Sequence, residues 1–391
     1  MTDANEDWRN HPVLAGIRAN EAELRAEEQN SDQERRLSAR TVELLREIGV
    51  MRVIQPARYG GFEADPRVFN EACHLLGQYA PAAGWVLGVV GVHQWNLGLF
   101  SDRVQQQVWG DDTDVWVSAS YGPAGRAVPV EGGLELTGRW GFSSGSDHCR
   151  WALVGGLSQE DGRMVYRHYL VERDTEYEVV DVWHASGLPG SGSNDLVVEK
   201  KVIPYERAMD TAELYALQVP GLAVNTGPLY RIPWYTLFVN AISMPMVGMA
   251  RGIVDETRSI FAERAAADPA KVPGQATLVR LASADANADL AYTVLQTNLS
   301  EAWAAVQADE QVSMRVRGNA KRDHILAVEA AVRAGNEAYA IAGPRAIHNA
   351  GWIQKAWRDL NAGNHHAMNL PEGAWTQYGQ YLVTGEHTGL I

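Results

Sequence analysis

The sequence predicts a mostly helical protein with a central β domain. Helices are expected over 1–112, a barrel or sandwich of strands over 113–224, and a helical bundle over 225–391. Three observations predict this. Apolar residues in the first and last stretches recur at three- and four-residue steps, the period of a buried helix face. Between them lie short segments rich in β-branched and aromatic residues, separated by glycine-containing turns, which is the pattern of strands. Glycine or proline stands where most of these patterns stop. At 391 residues, the chain is also long enough for two or three structural units of roughly 150 residues.

In the first region, Ser38 can cap a helix that begins at Ala39, carries Val42, Leu45 and Ile48 on one face, and stops at Gly49. Pro56, Gly60 and Gly61 mark a loop, and Pro66 opens a helix over 66–79. Pro81 opens a further helix over 82–100, whose lack of charge predicts burial on most sides. Strands are expected at 115–121, 134–138, 151–156, 164–172, 176–183 and 195–203. The turns between them include EGG at 131–133, EDG at 160–162 and GLPGSGSND at 187–195. Their shortness and frequency favour a barrel or sandwich over a parallel α/β sheet. In the last region, long helices are expected over 233–265, bent at Pro245, then over 275–308 and 320–342, the last stopping at Gly343-Pro344.

Composition narrows the function. With 48 acidic and 34 basic residues the formal net charge is −14, which disfavours the basic surface that nonspecific nucleic-acid binding needs. Two cysteines, Cys73 and Cys149, cannot build a disulfide framework and suit a reducing cytoplasm. The apolar stretch from Ala82 to Val92 is about half the roughly 20 residues of a membrane span, and the acidic, polar start is unlike a signal peptide. The expectation is a cytoplasmic enzyme or enzyme subunit, with no membrane and no nucleic-acid partner.

Motifs exclude more than they assign. No GxGxxG follows a strand and no Walker loop is present, so neither a Rossmann nucleotide site nor a P-loop is supported. GFSSG at 141–145 spells GxSxG, but a strand rather than a helix follows, against a nucleophile elbow. His365 and His366 are adjacent, point about 100° apart on a helix, and have no acidic neighbour at metal-ligand spacing, so no metal is expected. Asp147-His148 reads as a structural hydrogen bond rather than half a catalytic relay. What remains are polar residues in apolar settings: His93 in GVVGVHQWNLGLF, Ser143 and Ser144 after GRWGF, and His366 beyond the last long helix. Each has a bland reading, as a core histidine or a polar turn. Several together hint at a lined pocket.

Eight segments, in order, resemble a known family: RRLSARTVELLREIG (35–49), IQPARYGG (54–61), GWVLGVVGVHQWNLGLF (84–100), VWVSASYGP (115–123), GRWGFSSGSDH (138–148), DVWHASGLPGSGSN (181–194), NAISMPMVGMARG (240–252) and WRDLNAGNHHAMN (357–369). Together they are similar to the acyl-CoA dehydrogenase fold, and within it to the oxygenase components of two-component, flavin-dependent monooxygenases. The nearest branch hydroxylates a phenolic secosteroid; 4-hydroxyphenylacetate hydroxylase oxygenases and dibenzothiophene monooxygenases are more distant. The resemblance implies an N-terminal helical domain, a β domain and a C-terminal four-helix bundle, in a homotetramer.

It also implies the chemistry. Reduced flavin (FADH2 or FMNH2) would come from a separate NAD(P)H:flavin reductase, react with O2 to a flavin C4a-hydroperoxide, and hydroxylate a phenol or a fused-ring aromatic such as an indole. Ser143 would support that peroxide from the flavin N5 edge, with Ser144 as the alternative. Ser118, Tyr121, Trp140 and Gly343 would contact flavin. His366 would hold or take the substrate hydroxyl proton, and His93, Trp95 and Asn96 would line the substrate pocket. The rival readings are an acyl-CoA dehydrogenase-like FAD desaturase, an N- or S-oxygenase, and a noncatalytic flavin-binding or scaffold protein of the same fold. Against the desaturase, no carboxylate follows Arg358-Asp359 in LNAGNHHAMN, where that reaction's base would stand.

Overall fold

A computed structural model describes residues 7–349 and 351–386. Seven helices come first: α1 (Pro12–Ala19), α2 (Glu21–Glu34), α3 (Ala39–Ile48), α4 (Pro66–Tyr79), α5 (Pro81–Val86), α6 (Val92–Leu97) and α7 (Asp102–Trp109). Ser38 caps α3 by accepting from the Thr41 N–H, and Gly49 ends it with φ 80, as the sequence predicts. The expected helix over 82–100 is instead interrupted. A π-helical turn, Leu87–Gly91, lies between α5 and α6, and His93 follows it directly.

The β region has seven strands: β1 (Val117–Val130), β2 (Gly133–Ser143), β3 (Trp151–Glu160), β4 (Arg163–Glu172), β5 (Glu178–Val180), β6 (Asn194–Ile203) and β7 (Ala208–Asp210). They form one sheet in the order β5-β6-β2-β1-β3-β4-β7, with β1 and β3 parallel and every other pair antiparallel. The sheet has two edges, so it is not a closed barrel. It curls enough for β4 and β6 to touch, around a core of Trp140, Tyr169, Leu196 and their neighbours. Asp161 and Gly162 both take positive φ (49° and 78°), the geometry of a two-residue hairpin turn matching the strand twist.

A short helix α8 (Thr211–Tyr215) leads to α9 (Trp234–Ala267), α10 (Gln275–Gln307), α11 (Met314–Ala342), α12 (Trp352–Asn364) and α13 (Pro371–Thr384). Helix α9 contains Pro245 and is long and apolar enough to cross a membrane, but its most apolar window is 94% buried inside the protein. It is the central core helix, packed on α4, α10, α11 and α12. Glycines set how close α4 comes. A Cβ on Gly77 would lie 2.3 Å from the Pro245 carbonyl oxygen, and one on Gly248 2.1 Å from that of His74. This packing holds the π turn and α6 between the sheet and the C-terminal helices.

Candidate active site

The three regions meet at a cavity of about 580 Å³. The π turn supplies Val89 and α6 supplies His93. Residues 119–122 come from β1, and Trp140, Phe142 and Ser144 from the end of β2. Phe238 and Ile242 come from α9, and residues 365–368 follow α12. Among the described lining residues there is no carboxylate.

His93 is 2% exposed. Its Nδ1 lies 2.8 Å from the Val117 carbonyl oxygen. A carbonyl only accepts, so the ring proton sits on Nδ1 and Nε2 is a bare acceptor, without a hydrogen-bond partner. Burial lowers the His93 pKa to about 4, so the ring is neutral near pH 7. His366 is wired the other way. Its Nδ1 accepts from the Met368 N–H at 3.2 Å, which leaves the proton of the neutral ring on Nε2. Burial, helped by neighbouring His324, lowers its pKa to about 4 as well. Of the three histidines that line the cavity, His93 and His366 are therefore neutral imidazoles of opposite tautomer.

Tyr121 and Trp140 line the cavity as expected. Trp140 donates from Nε1 to the Gly155 carbonyl at 2.6 Å, and the Tyr121 ring is tilted over His168 with centroids 4.1 Å apart. The two serines separate. The alternation of β2 breaks between Trp140 and Ser143, where its pairing with β6 shifts register and Phe142 takes φ 63. Ser144 lines the cavity, while the Ser143 hydroxyl is buried elsewhere without a partner. Phe142 stands 77% exposed at the rim, edge-on to Trp183.

Besides Ser143, four expected site residues lie outside the cavity. Trp95 is two residues from His93 on α6, about 200° around the helix, and its Nε1 donates to the Leu229 carbonyl in the core. Asn96 supports the wall from behind, donating from Nδ2 to the Tyr121 hydroxyl at 2.9 Å. Ser118 is fully buried beside the Cys149 thiol. Gly343 ends α11 with φ 89, a conformation suited to glycine, and does not reach the cavity of this chain.

Sequence reasoning passed over Trp85, His168 and the Gly187–Asn194 loop. Trp85 donates from Nε1 to the Ser144 hydroxyl at 3.1 Å and lies edge-on to His366. Buried His168 backs Tyr121. The loop carries Ser193, whose hydroxyl is 2.7 Å from that of Ser144. Their only signal in the sequence was a polar group inside an apolar or glycine-rich run. Asp359 is fully buried, pairs with Lys355 and accepts from the Leu188 N–H at 2.6 Å, so it braces that loop.

Comparison with known proteins agrees with this architecture. Residues 240–371 match the model of the acyl-CoA dehydrogenase C-terminal domain. The chain is 38% identical over 374 residues to the flavin-dependent monooxygenase oxygenase subunit HsaA of Rhodococcus jostii, covering 93% of this chain and 95% of that protein. The FADH(2)-dependent resorcinol hydroxylase oxygenase component of Rhizobium sp. is 29% identical over 395 residues, covering 97% of this chain and 96% of that one. The crystal structure of 3-HSA hydroxylase from Rhodococcus sp. RHA1 superposes with a TM-score of 0.95 at 36% identity, over 98% of this chain and all of that one. A three-region fold, a cavity at its junction and a match over nearly the full length of both chains point one way: this chain belongs to the oxygenase components of flavin-dependent monooxygenases, built on the acyl-CoA dehydrogenase-like fold.

Proposed function

We propose that this chain hydroxylates a phenol or a fused-ring aromatic such as an indole, with reduced FAD or FMN delivered by a separate NAD(P)H:flavin reductase, as a cytoplasmic homotetramer. The cavity suits a flat ring system: Tyr121, Trp140, Phe142 and Phe238 line it, and its polar groups are few. It also suits a flavin beside that ring. Ser144 offers a hydroxyl oxygen at the wall for the flavin, and the Nε2 of His93 is an unsatisfied buried acceptor for the substrate beside it. Bound reduced flavin would supply two electrons to O2, so that one oxygen atom enters the ring and the other leaves as water.

The observation that carries the reading is the pair of neutral histidines. A phenol hydroxyl donates well to the bare Nε2 of His93, which can draw off its proton and make the ring more nucleophilic. His366, with its proton on Nε2, is suited to donate to an oxygen of the substrate or co-substrate. The resemblance gives proton removal to His366; the hydrogen bonds around both rings favour His93. The absence of a lining carboxylate, among the described residues, disfavours α-proton abstraction from an acyl thioester.

The test supplies the chain with a flavin reductase, NADH, FAD or FMN, and a panel of phenols and indoles under 18O2. One 18O atom in a hydroxylated product is the expected result. Oxidation of the flavin with peroxide release alone, across the panel, would refute the substrate class.

A further inference from the structure

The loop between β5 and β6 reads in the sequence as a turn, yet it is buried from Gly187 onward. It carries a line of hydrogen bonds that ends at the cavity. The Ser191 hydroxyl lies 2.7 Å from the Leu188 carbonyl oxygen and 2.7 Å from the Ser193 hydroxyl. Ser193 lies 2.7 Å from the Ser144 hydroxyl, which also accepts from Trp85 Nε1. All three serines are buried, so water does not relieve an unmade bond.

Counting protons sets the direction. Each hydroxyl has one proton to give, and there are three contacts to fill. The Leu188 carbonyl can only accept, so Ser191 donates to it. Ser193 must then donate to Ser191, and Ser144 to Ser193. Ser144 has spent its proton inside the wall and one acceptor site on Trp85. It has only a lone pair left for the cavity.

We propose that Ser191 and Ser193 are positioning residues that make Ser144 an obligatory hydrogen-bond acceptor toward a bound flavin. The proposal rests on the flavin site argued above. Reduced flavin carries an N–H at N5, and oxidised flavin has a bare nitrogen there. An acceptor-only serine pairs with the first and faces the second lone pair to lone pair. The relay thus favours the reduced ligand through residues that never touch it.

The experiment measures dissociation constants for oxidised flavin in air and reduced flavin anaerobically, in the wild type, Ser193→Ala and Ser191→Ala. Either variant frees the Ser144 proton to turn into the cavity. After Ser191→Ala, Ser193 can redirect its proton to Ser144, while Leu188 keeps the Trp183 Nε1 bond at 2.9 Å. The oxidised-to-reduced ratio of dissociation constants should fall about tenfold in both variants, the worth of roughly one hydrogen bond. A ratio unchanged in both overturns the proposal, and so does a change in Ser193→Ala alone, since Ser191 would then set nothing. If Ser193→Ala does not fold, Ser191→Ala, two hydrogen bonds from the cavity, decides by itself. A wild type that binds neither redox state refutes the flavin site and this proposal with it; a normal wild-type preference with unmoved variants refutes this proposal only.

Discussion

His93→Phe separates the two histidines. Phenylalanine keeps the ring and removes both nitrogens. Two losses follow from the structure. The Val117 carbonyl loses its 2.8 Å partner in a site without solvent, which costs about 1–3 kcal/mol of stability. On the proposed reading the unpaired Nε2 acceptor is lost as well, so a phenol hydroxyl would no longer be relieved of its proton during attack. A positioned general base is worth about 10²–10⁴-fold, and product formation should fall by that much. Binding of reduced flavin should change little, because Ser144 and its relay are untouched. Oxygen consumption then continues while hydrogen peroxide replaces product. The assay compares hydroxylated product and peroxide per NADH consumed in the wild type, His93→Phe and His366→Phe, with thermal unfolding as the control for folding. If His93→Phe keeps product within a few-fold while His366→Phe loses it, His366 is the proton acceptor and the tautomer argument is wrong.

Three further outcomes are expected. His93, His324 and His366 have pKa values lowered to about 4 by burial, and His168 to about 3, against about 6.5 in the unfolded chain. Between those values the unfolded chain binds more protons, so stability is full above about pH 6.5 and drains as pH falls toward 4; denaturant midpoints that stay flat over that window would refute it. Asp359→Ala leaves Lys355 with one fewer partner in the interior and frees the Leu188 N–H. It should cost about 3–5 kcal/mol in urea unfolding, and a loss under 1 kcal/mol would show that the cluster is solvated. Gly248→Ala puts a Cβ 2.1 Å from the His74 carbonyl oxygen, forcing α4 and α9 apart. A stability loss of about 1–3 kcal/mol should appear as a lower melting temperature, and an unchanged one would mean the helices move apart freely.

The helices with strong local signals were readable one by one. Ser38 and Gly49 bracket α3, and Pro66 opens α4, because caps and breakers act on the chain next to them. The strand over 176–183 was not: the strand there is only Glu178–Val180, with Tyr177 in an isolated bridge to Arg173, since pairing depends on a partner strand that is distant in sequence. The π turn at Leu87–Gly91 was equally hidden. Its two glycines and two valines weaken a helix without specifying a π turn, and a Cβ on Gly88 would lie 2.1 Å from the Ala241 carbonyl oxygen, so this turn sits in close contact with α9.

At the site, the sequence by itself singled out most of the polar and aromatic residues that line the cavity. His93, His366, Tyr121, Trp140 and the serine pair stand in segments whose apolar surroundings and family resemblance single them out, and all but Ser143 reach one cavity. Charge, cysteine usage and the order helix, strand, helix also came from the chain alone. Only the tertiary structure decided which of two adjacent serines faces the cavity, which ring nitrogen of each histidine holds the proton, and why Trp95 belongs to the core. Ser144 follows the irregular end of β2, where Phe142 takes φ 63. Carbonyl and amide partners at Val117 and Met368 assigned the tautomers. Those answers depend on hydrogen-bond direction and strand register, which arise between segments far apart in sequence and are not properties of any one of them.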